Sequence, residues 1–511
     1  MTIHDLTVIS AVDGSALPKK PFTGRHLIDG QWRDSLDGAT FVRRSPAHGT
    51  LVSVSAKGGS EDVEAAVAAA RRRFDDGRWP FSSGKKRASL LTRVADLIDR
   101  ERERIALVET LESGKPISQA RAEIEGAADL WRYAAALART VHGDSHNSLG
   151  QDILGFVLKE PVGVVSIITP WNFPFLIVSQ KLPFALAAGC TAVIKPSELT
   201  PSTTVILGEL LLEAGLPDGV VNIVLGYGEP VGAGLTTHAD VDMVSFTGST
   251  GVGKSIAASA AATLKKVSLE LGGKNPQVVF PDADLDSAID AIVFGVYFNA
   301  GECCNSGSRI IVHKDIAQEV VERVVALSKK VPFGDPLHPE TRVGAIISPE
   351  HCRKIDGYVK SAASGGAAIH LGGGELAVPG LSGQFYQPTV VSDVTGDMAI
   401  AREEVFGPVL SVLTFDTPDE ALGLANASSY GLSAGVWSEN VHTCLEFARK
   451  VKAGTVWTNT WMDGFAELPF GGFRESGQGR ELGRYGLEEF LEVKTLQMRL
   501  GQSRELWLNS R

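Results

Sequence analysis

The sequence predicts an α/β protein of more than one domain. Three observations carry this. From about residue 157 the chain alternates short apolar strands with helical stretches, the pattern of a parallel sheet covered by helices on both faces. A second alternating unit runs from about 276 to 465. The chain has 511 residues, too many for one compact core, so two or three domains are expected.

Taken in order, residues 1–23 are irregular and read as a loose arm. Residues 26–32 read as a strand and turn. Residues 60–76, 84–110 and 116–140 repeat Ala, Val, Leu and Ile at helical spacing. The first alternating unit then gives a strand at 162–169, a helix at 177–188, a strand at 191–195 and a helix at 202–215. Strands at 220–224 and 241–246 follow, then a helix at 252–262. Near the end, a helix at 479–490 precedes an amphipathic piece at 491–500. No internal repeat or low-complexity stretch stands out.

Composition narrows the function. The chain is 44% hydrophobic and 21% charged, ordinary for a globular protein. Its net charge is -11 with no long basic run, which argues against nucleic acid or an anionic membrane as a partner. The most apolar region, about 156–194, is interrupted by Pro161, Pro170, Asn172, Pro174, Lys181 and Pro183. It reads as buried strands and a core helix, not a membrane span. The first residues lack the basic and apolar regions of a signal peptide. Five cysteines form no disulfide framework, which points to a reduced, cytoplasmic location. Eleven histidines are scattered without ligand spacing, so no metal site is expected.

Three segments carry the chemistry. Gly301-Glu302-Cys303-Cys304-Asn305-Ser306-Gly307 sets thiols in a glycine-rich, polar stretch. Glu270-Leu271-Gly272-Gly273 sets a lone carboxylate beside a glycine pair. A thiol nucleophile and a carboxylate base suffice to make and hydrolyse a thioester. Pro170-Trp171-Asn172-Phe173-Pro174 frames one side-chain amide that can donate to an oxyanion. Each residue also has a plainer reading: Cys303 and Cys304 as small core fillers, Glu270 as a helix cap or ion-pair carboxylate, Asn172 as a turn residue.

These segments resemble the signature blocks of the NAD(P)-dependent aldehyde dehydrogenase superfamily. The resemblance extends to Lys195-Pro196-Ser197-Glu198, Phe246-Thr247-Gly248-Ser249, Glu403-Glu404-Val405-Phe406-Gly407-Pro408 and Pro469-Phe470-Gly471-Gly472, and spans about 25–495. It implies a split Rossmann-type NAD-binding domain (24–142 and 162–272) and a catalytic domain (273–476). It further implies a small β oligomerisation flap (143–161 and 488–502) after an N-terminal arm (1–23). Homodimer and homotetramer both fit.

The resemblance places the nucleophile at Cys304, the base at Glu270 and an oxyanion donor at Asn172. Lys181 is implied near the active site as a proton relay, and Glu481 likewise. Cofactor contacts are implied at Ile168, Thr169, Trp171, Lys195, Ser197, Glu198, Gly228, Gly232, Gly248, Ser249, Leu271, Glu404 and Phe406. Glu198 would repel a 2′-phosphate, which favours NAD over NADP. Relatives that transfer the acyl group to coenzyme A tend to lack the carboxylate at Glu270, so hydrolysis to a free acid is implied.

One motif points elsewhere. Gly248-Ser249-Thr250-Gly251-Val252-Gly253-Lys254-Ser255 matches the phosphate-loop pattern G-x-x-x-x-G-K-[ST] after a strand and before a helix. A nucleotide triphosphatase is therefore a rival reading. It needs a nearby apolar strand ending in Asp, for which Val278-Val279-Phe280-Pro281-Asp282 is the candidate. A third class is a non-enzymatic structural relative, opposed by Cys304, Glu270 and Asn172 together.

For the substrate, Asn459 to Leu468 aligns with the loop at the mouth of the family's substrate tunnel. Trp461, Phe465, Trp171 and Tyr297 or Phe298 are expected to form an aromatic wall near Asp463 and Glu467. Aromatic faces with carboxylates suit a cationic aldehyde, such as betaine aldehyde or an amino aldehyde. The alternative is broad use of aliphatic and aromatic aldehydes. Two residues depart from the family pattern: Glu302 stands where glutamine is usual, and Gln180 where many members carry tryptophan.

Overall fold

The computed structural model describes residues 6–12, 17–501 and 507–509. Its first sheet has eight strands, in the spatial order Gly477–Gln478, Lys266–Glu270, Met243–Thr247, Val164–Ile168, Thr191–Lys195, Val221–Ile223, His26–Ile28, Gln31–Arg33. The inner five strands pair in parallel, and antiparallel neighbours close both edges. Val164–Ile168 and Thr191–Lys195 are buried at every position, as continuous apolar runs between two helical layers must be. On one face lie the helices Gly84–Arg100, Ile117–Ala138, Pro174–Ala188 and Ser202–Glu213. On the other lie Ser60–Asp75 and Thr250–Ala260, with a separate apolar core.

The order of connection decides where a ligand can sit. The chain runs from Val164–Ile168 outward through two strands, then returns to lay Met243–Thr247 on the opposite side of Val164–Ile168. The two connecting loops therefore diverge beyond Ile168 and Thr247. In open α/β sheets the ligand crevice forms at such a switch point.

The second sheet has seven strands in the order Ala368–Leu371, Thr389–Ser392, Val409–Phe415, Arg309–His313, Pro276–Val279, Ser433–Trp437, Thr455–Thr458. All pair in parallel except the first two, and they share one large core. Leu491–Arg499 pairs antiparallel with Ile153–Pro161 over nine positions, and Ser145–His146 completes a three-stranded ribbon.

Three expectations change. The stretch 84–110 forms two helices, Gly84–Arg100 and Arg102–Ser113, broken at Glu101 where ψ is 8°. The helix expected at 479–490 shortens to Gly483–Glu489. The described parts of the arm are docked rather than loose: Val8–Ile9 pairs with Phe333–Gly334, and Phe22–Gly24 with Leu51–Ala56. Residues 1–5, 13–16 and 502 lie outside the described residues.

Candidate active site

A cleft of about 240 Å³ opens at the switch point of the first sheet. Trp171, Asn172, Gly248, Ser249, Leu271, Cys304, Glu404 and Phe406 line it, so residues far apart in sequence meet there. The helix Pro174–Ala188 starts directly after Asn172, with Pro174 pre-set for the first turn. That fixes the Trp171–Asn172 corner against the sheet.

Cys304 follows a tight reversal. Asn299, Ala300 and Gly301 have φ of 51°, 55° and 73°, three successive left-handed residues after the helix Leu285–Tyr297. Such a run persists only where its surroundings over-determine it. Three asparagines supply the bonds. Asn172 Nδ2 donates to the Glu302 carbonyl (3.1 Å), and Asn299 Nδ2 to the carbonyls of Glu302 (2.9 Å) and Asn172 (3.2 Å). Asn275 Nδ2 donates to the carbonyls of Cys304 (2.7 Å) and Ser306 (3.0 Å). The neighbouring Cys303 thiol, then burial, then the charges of Glu404 and Glu270 push the Cys304 pKa well above the usual thiol range. The resting sulfur is therefore a protonated thiol.

Glu270 ends the Lys266–Glu270 strand and is buried. Neither carboxylate oxygen accepts a hydrogen bond from the described residues. The carboxylate lies beside Gly471, where a Cβ would sit 2.6 Å from Oε1. Burial, then the charge of Glu481, raises its pKa well above the carboxylate range, against Lys181 and Arg480. Lys181, fully buried, donates to Ser245 Oγ (3.1 Å) and pairs with Glu481. Glu270 thus faces a buried polar pocket behind the cleft. Its field still reaches the Cys304 thiol.

The expected cofactor residues fall at two adjoining loci. Trp171, Gly248, Ser249, Leu271, Glu404 and Phe406 line the cleft with Cys304. Glu404 accepts from the Gly273 N–H (3.0 Å), and burial raises its pKa to about 7. The second locus lies past the neighbouring strand end. Ile168 pairs with Lys195, and the Thr169 N–H donates to the Lys195 carbonyl (3.1 Å). Lys195 Nζ donates to the carbonyls of Pro196 (2.9 Å) and Gly226 (3.0 Å) and lies 3.6 Å from Glu198. Ser197 Oγ accepts from the Leu199 N–H. The turn Gly228–Gly232 packs over the Lys195 stem, since a Cβ on Gly232 would lie 3.6 Å from Cδ. The two loci are joined through the ends of adjacent strands. An open helix N-terminus at Thr250, capped by Ser249, stands between a carboxylate-bearing cleft and a lysine–glutamate pair. That donor set fits an extended dinucleotide, with its pyrophosphate at the helix start.

The expected aromatic wall is not assembled. Trp461 is buried in the second core, against Trp457 at 4.9 Å between ring centroids. Tyr297 is buried against Phe333. Phe465 is 58% exposed, outside any cluster. Trp171 faces the cleft, edge-on to Phe406 (5.4 Å). Asp463 is exposed and accepts from the Thr460 hydroxyl. Only Phe298 of that set joins an apolar cluster beside the thiol. It stacks on Phe173 (6.0 Å), with Ile177, Cys303, Leu176 and Met462. Phe173 and Met462 were missed because each sits next to a more conspicuous residue, Asn172 and Trp461. The loop turns at Met462, where φ is 63°, and that turn selects which side chain faces inward.

The phosphate-loop rival fails on topology. The loop 248–255 belongs to the first sheet, whereas the strand Pro276–Val279 before Asp282 lies in the second. Asp282 is taken by the Ser438 hydroxyl and the Asn440 N–H. Lys254 points outward to Glu475 (2.7 Å) and is 60% exposed.

Two further cleft residues were not foreseen. His351 and Lys354 lie one turn apart on the helix Pro349–Ser364 and both line the cleft. His351 Nε2–H donates to the Phe406 carbonyl (2.6 Å), and its ring packs on Trp171 (5.6 Å) and Phe406 (5.9 Å). Burial lowers its pKa to about 4, so the ring is neutral. Their i, i+3 spacing was readable, but nothing local tied that helix to the cleft. Among the described residues no cluster of His, Cys, Asp and Glu is arranged to hold a metal, and no helix is long and apolar enough to cross a membrane.

Residues 32–496 match the model of the aldehyde dehydrogenase family. The chain is 42% identical to the betaine aldehyde dehydrogenase of Bacillus subtilis, over 95% of this chain and 99% of that one. It is 43% identical to a mitochondrial benzaldehyde dehydrogenase of Antirrhinum majus, over 92% and 88%. The crystal structure of an NAD-dependent aldehyde dehydrogenase from Sinorhizobium meliloti superposes with a TM-score of 0.95 at 50% identity, covering 98% and 99% of the two chains. With a thiol, an amide and a crevice at one switch point, the chain belongs to the aldehyde dehydrogenase family and has its fold and its NAD(P)-dependent oxidoreductase activity.

Proposed function

We propose that the protein oxidises an aldehyde to the free carboxylic acid through a thioester on Cys304. The observation that carries this reading is the shared cleft of Cys304 and Asn172 at the switch point. NAD⁺, when bound, supplies the hydride acceptor. Cys304 Sγ releases its proton to water in the open cleft and attacks the carbonyl carbon as the thiolate. Asn172 Nδ2 spends one N–H on the Glu302 carbonyl and offers the other, with the Cys304 backbone N–H, to the oxyanion. Glu270 turns from its pocket beside Gly471 and takes a proton from the water that cleaves the thioester. Lys181 and Glu481 lead that proton away through the buried pocket. Because burial raises the Glu270 pKa, deacylation gains rate as pH rises through it.

The test is kinetic. Cys304→Ala is expected to lose turnover and retain NAD⁺ binding. Glu270→Gln is expected to accumulate acyl-enzyme in a rapid-quench experiment. Full activity in the first variant, or unchanged turnover in the second, overturns the assignment.

The substrate class we favour is a neutral aliphatic or aromatic aldehyde. The cluster of Phe173, Ile177, Cys303, Phe298 and Met462 is apolar. Lys115 Nζ already stands 4.4 Å from the Phe173 ring centroid, which weakens that ring for a second cation. The cationic reading keeps two supports: Asp463 and Glu467 are exposed on the access loop, and the chain is 42% identical to a betaine aldehyde dehydrogenase. NADH formation at 340 nm with hexanal, benzaldehyde and betaine aldehyde separates them. A higher kcat/KM for betaine aldehyde overturns our choice.

Glu198, 3.6 Å from Lys195, supports NAD over NADP. The proposed division into 24–142 with 162–272, 273–476, and 143–161 with 488–502 has the two large sheets and the ribbon in its support. On that ribbon Leu158 (39% exposed), Leu496 (44%) and Met498 (45%) share one face, an apolar strip suited to a second copy in a homodimer or homotetramer. Five unpaired cysteines support a reduced, cytoplasmic setting.

A further inference from the structure

A cavity of about 410 Å³ lies on the far side of Phe298 from the thiol, a volume typical of small-molecule sites. Phe294, Tyr297, Phe298 and Val331 form its apolar wall. Phe294 is 44% exposed there, on a helix whose other exposed residues, Asp286, Ser287 and Asp290, are all polar.

The rim is charged and uncommitted. Lys330 and Arg342 are both exposed and neither forms an ion pair among the described residues. Asp290 is the one acid in the lining, so the rim carries a net positive charge. An apolar slot with two free cations at its lip is complementary to an amphipathic anion.

The floor reaches the catalytic loop. Gln119 is buried at the base of the cavity, and its Oε1 accepts from the Asn299 N–H (3.2 Å). The Asn299 side chain donates to the carbonyls of Asn172 and Glu302. Phe298 has one side on this cavity and stacks on Phe173 beside the thiol.

We propose that this cavity is a second binding site for a medium-chain monocarboxylate. The chain lies along Phe294, Tyr297 and Phe298, and the carboxylate meets Lys330 and Arg342. Occupancy acts on the Cys304 loop through Gln119 and Asn299. Binding itself does not depend on the catalytic roles assigned above.

The experiment is calorimetric titration of decanoate into the full-length NAD⁺-bound protein. Wild type and Cys304→Ala are expected to bind one decanoate with equal affinity. The double variant Lys330→Glu/Arg342→Glu alters only exposed side chains and keeps its basal turnover. It is expected to bind at least about tenfold more weakly, since two attractions become repulsions. Decylamine is expected to bind more weakly than decanoate, and saturating decanoate to change kcat without competing with the aldehyde. Absence of saturable binding, an unchanged Kd in the double variant, or equal binding of decylamine overturns the site. Competition with the aldehyde also overturns it, because the cavity is then the outer substrate tunnel.

Discussion

Gly301→Ala tests how the nucleophile loop and the cofactor loop are coupled. Gly301 has φ of 73°, and a Cβ on it would lie 2.1 Å from the Gly407 carbonyl oxygen and 2.3 Å from its carbon. Both partners are backbone, so no side chain can rotate away. An ordinary contact needs a separation about 1 Å longer, and the strand Val409–Phe415 anchors one side of it. Left-handed strain of about 1–2 kcal/mol and overpacking of about 1–3 kcal/mol together give about 2–5 kcal/mol. The displacement acts on Glu404 and Phe406, whose carbonyl is held by His351. The expected result is a lower urea midpoint with an NAD⁺ Kd raised about tenfold or more, equivalent to about 1.4 kcal/mol. Gly357→Ala is the control. It lies in the helix Pro349–Ser364 with nothing within 4 Å of its added Cβ, so a gain of up to about 1 kcal/mol is expected. A Gly301→Ala protein with wild-type midpoint and wild-type NAD⁺ affinity refutes the coupling.

Three other outcomes follow from the buried charges and one exposed one. Lys115 lies 3.0 Å from Glu109 and pairs with Glu123, all three buried, so Lys115→Met leaves both acids without their cation and is expected to cost about 3–5 kcal/mol in urea unfolding. Adding Glu123→Gln, whose carboxyl already sits at about 8 through burial, should recover part of that loss; no recovery refutes the pairing. Burial raises the Glu302 pKa well above 4.5, despite the Ile347 N–H, Lys115 and Arg43. The folded state therefore holds a proton on Glu302 that the unfolded chain releases, and the contribution of Glu302 to stability declines as pH rises above 4.5 until the folded group ionises. Glu302→Gln removes that decline, worth at most about 1.4 kcal/mol per pH unit, so parallel stability–pH curves for the two proteins rule it out. Lys254→Ala removes only an exposed ion pair with Glu475, so stability is expected to move by less than about 1 kcal/mol and turnover not at all. Lost turnover in that variant restores a phosphate role for Lys254.

Much was legible in the chain because its signals are local. Strand–helix alternation is a periodicity, and Val164–Ile168, Thr191–Lys195 and Met243–Thr247 emerge within a residue or two of their expected limits. Segments that juxtapose a thiol with glycines, or a carboxylate with a glycine pair, announce chemistry by residue type alone. Folding then gathered Trp171, Asn172, Ser249, Cys304 and Glu404 into one cleft. Two segments mark the limit of such local signals. The 248–255 stretch has the residues of a phosphate loop, but Lys254 is turned out to Glu475 and the required Asp lies in another sheet. The access loop has Trp461, Asp463 and Phe465, but its turn presents Met462 instead.

The sequence by itself determined which side chains are chemically able to act, and in which order strands and helices follow one another. Tertiary structure alone decided which of them face one another: that Phe173 rather than Trp461 stands beside the thiol, that His351 braces Phe406, and that Glu270 rests beside Gly471 and Glu481. The reason is that residue chemistry and periodicity are properties of short segments. The facing of a side chain depends on one backbone dihedral in a turn and on packing between elements hundreds of residues apart.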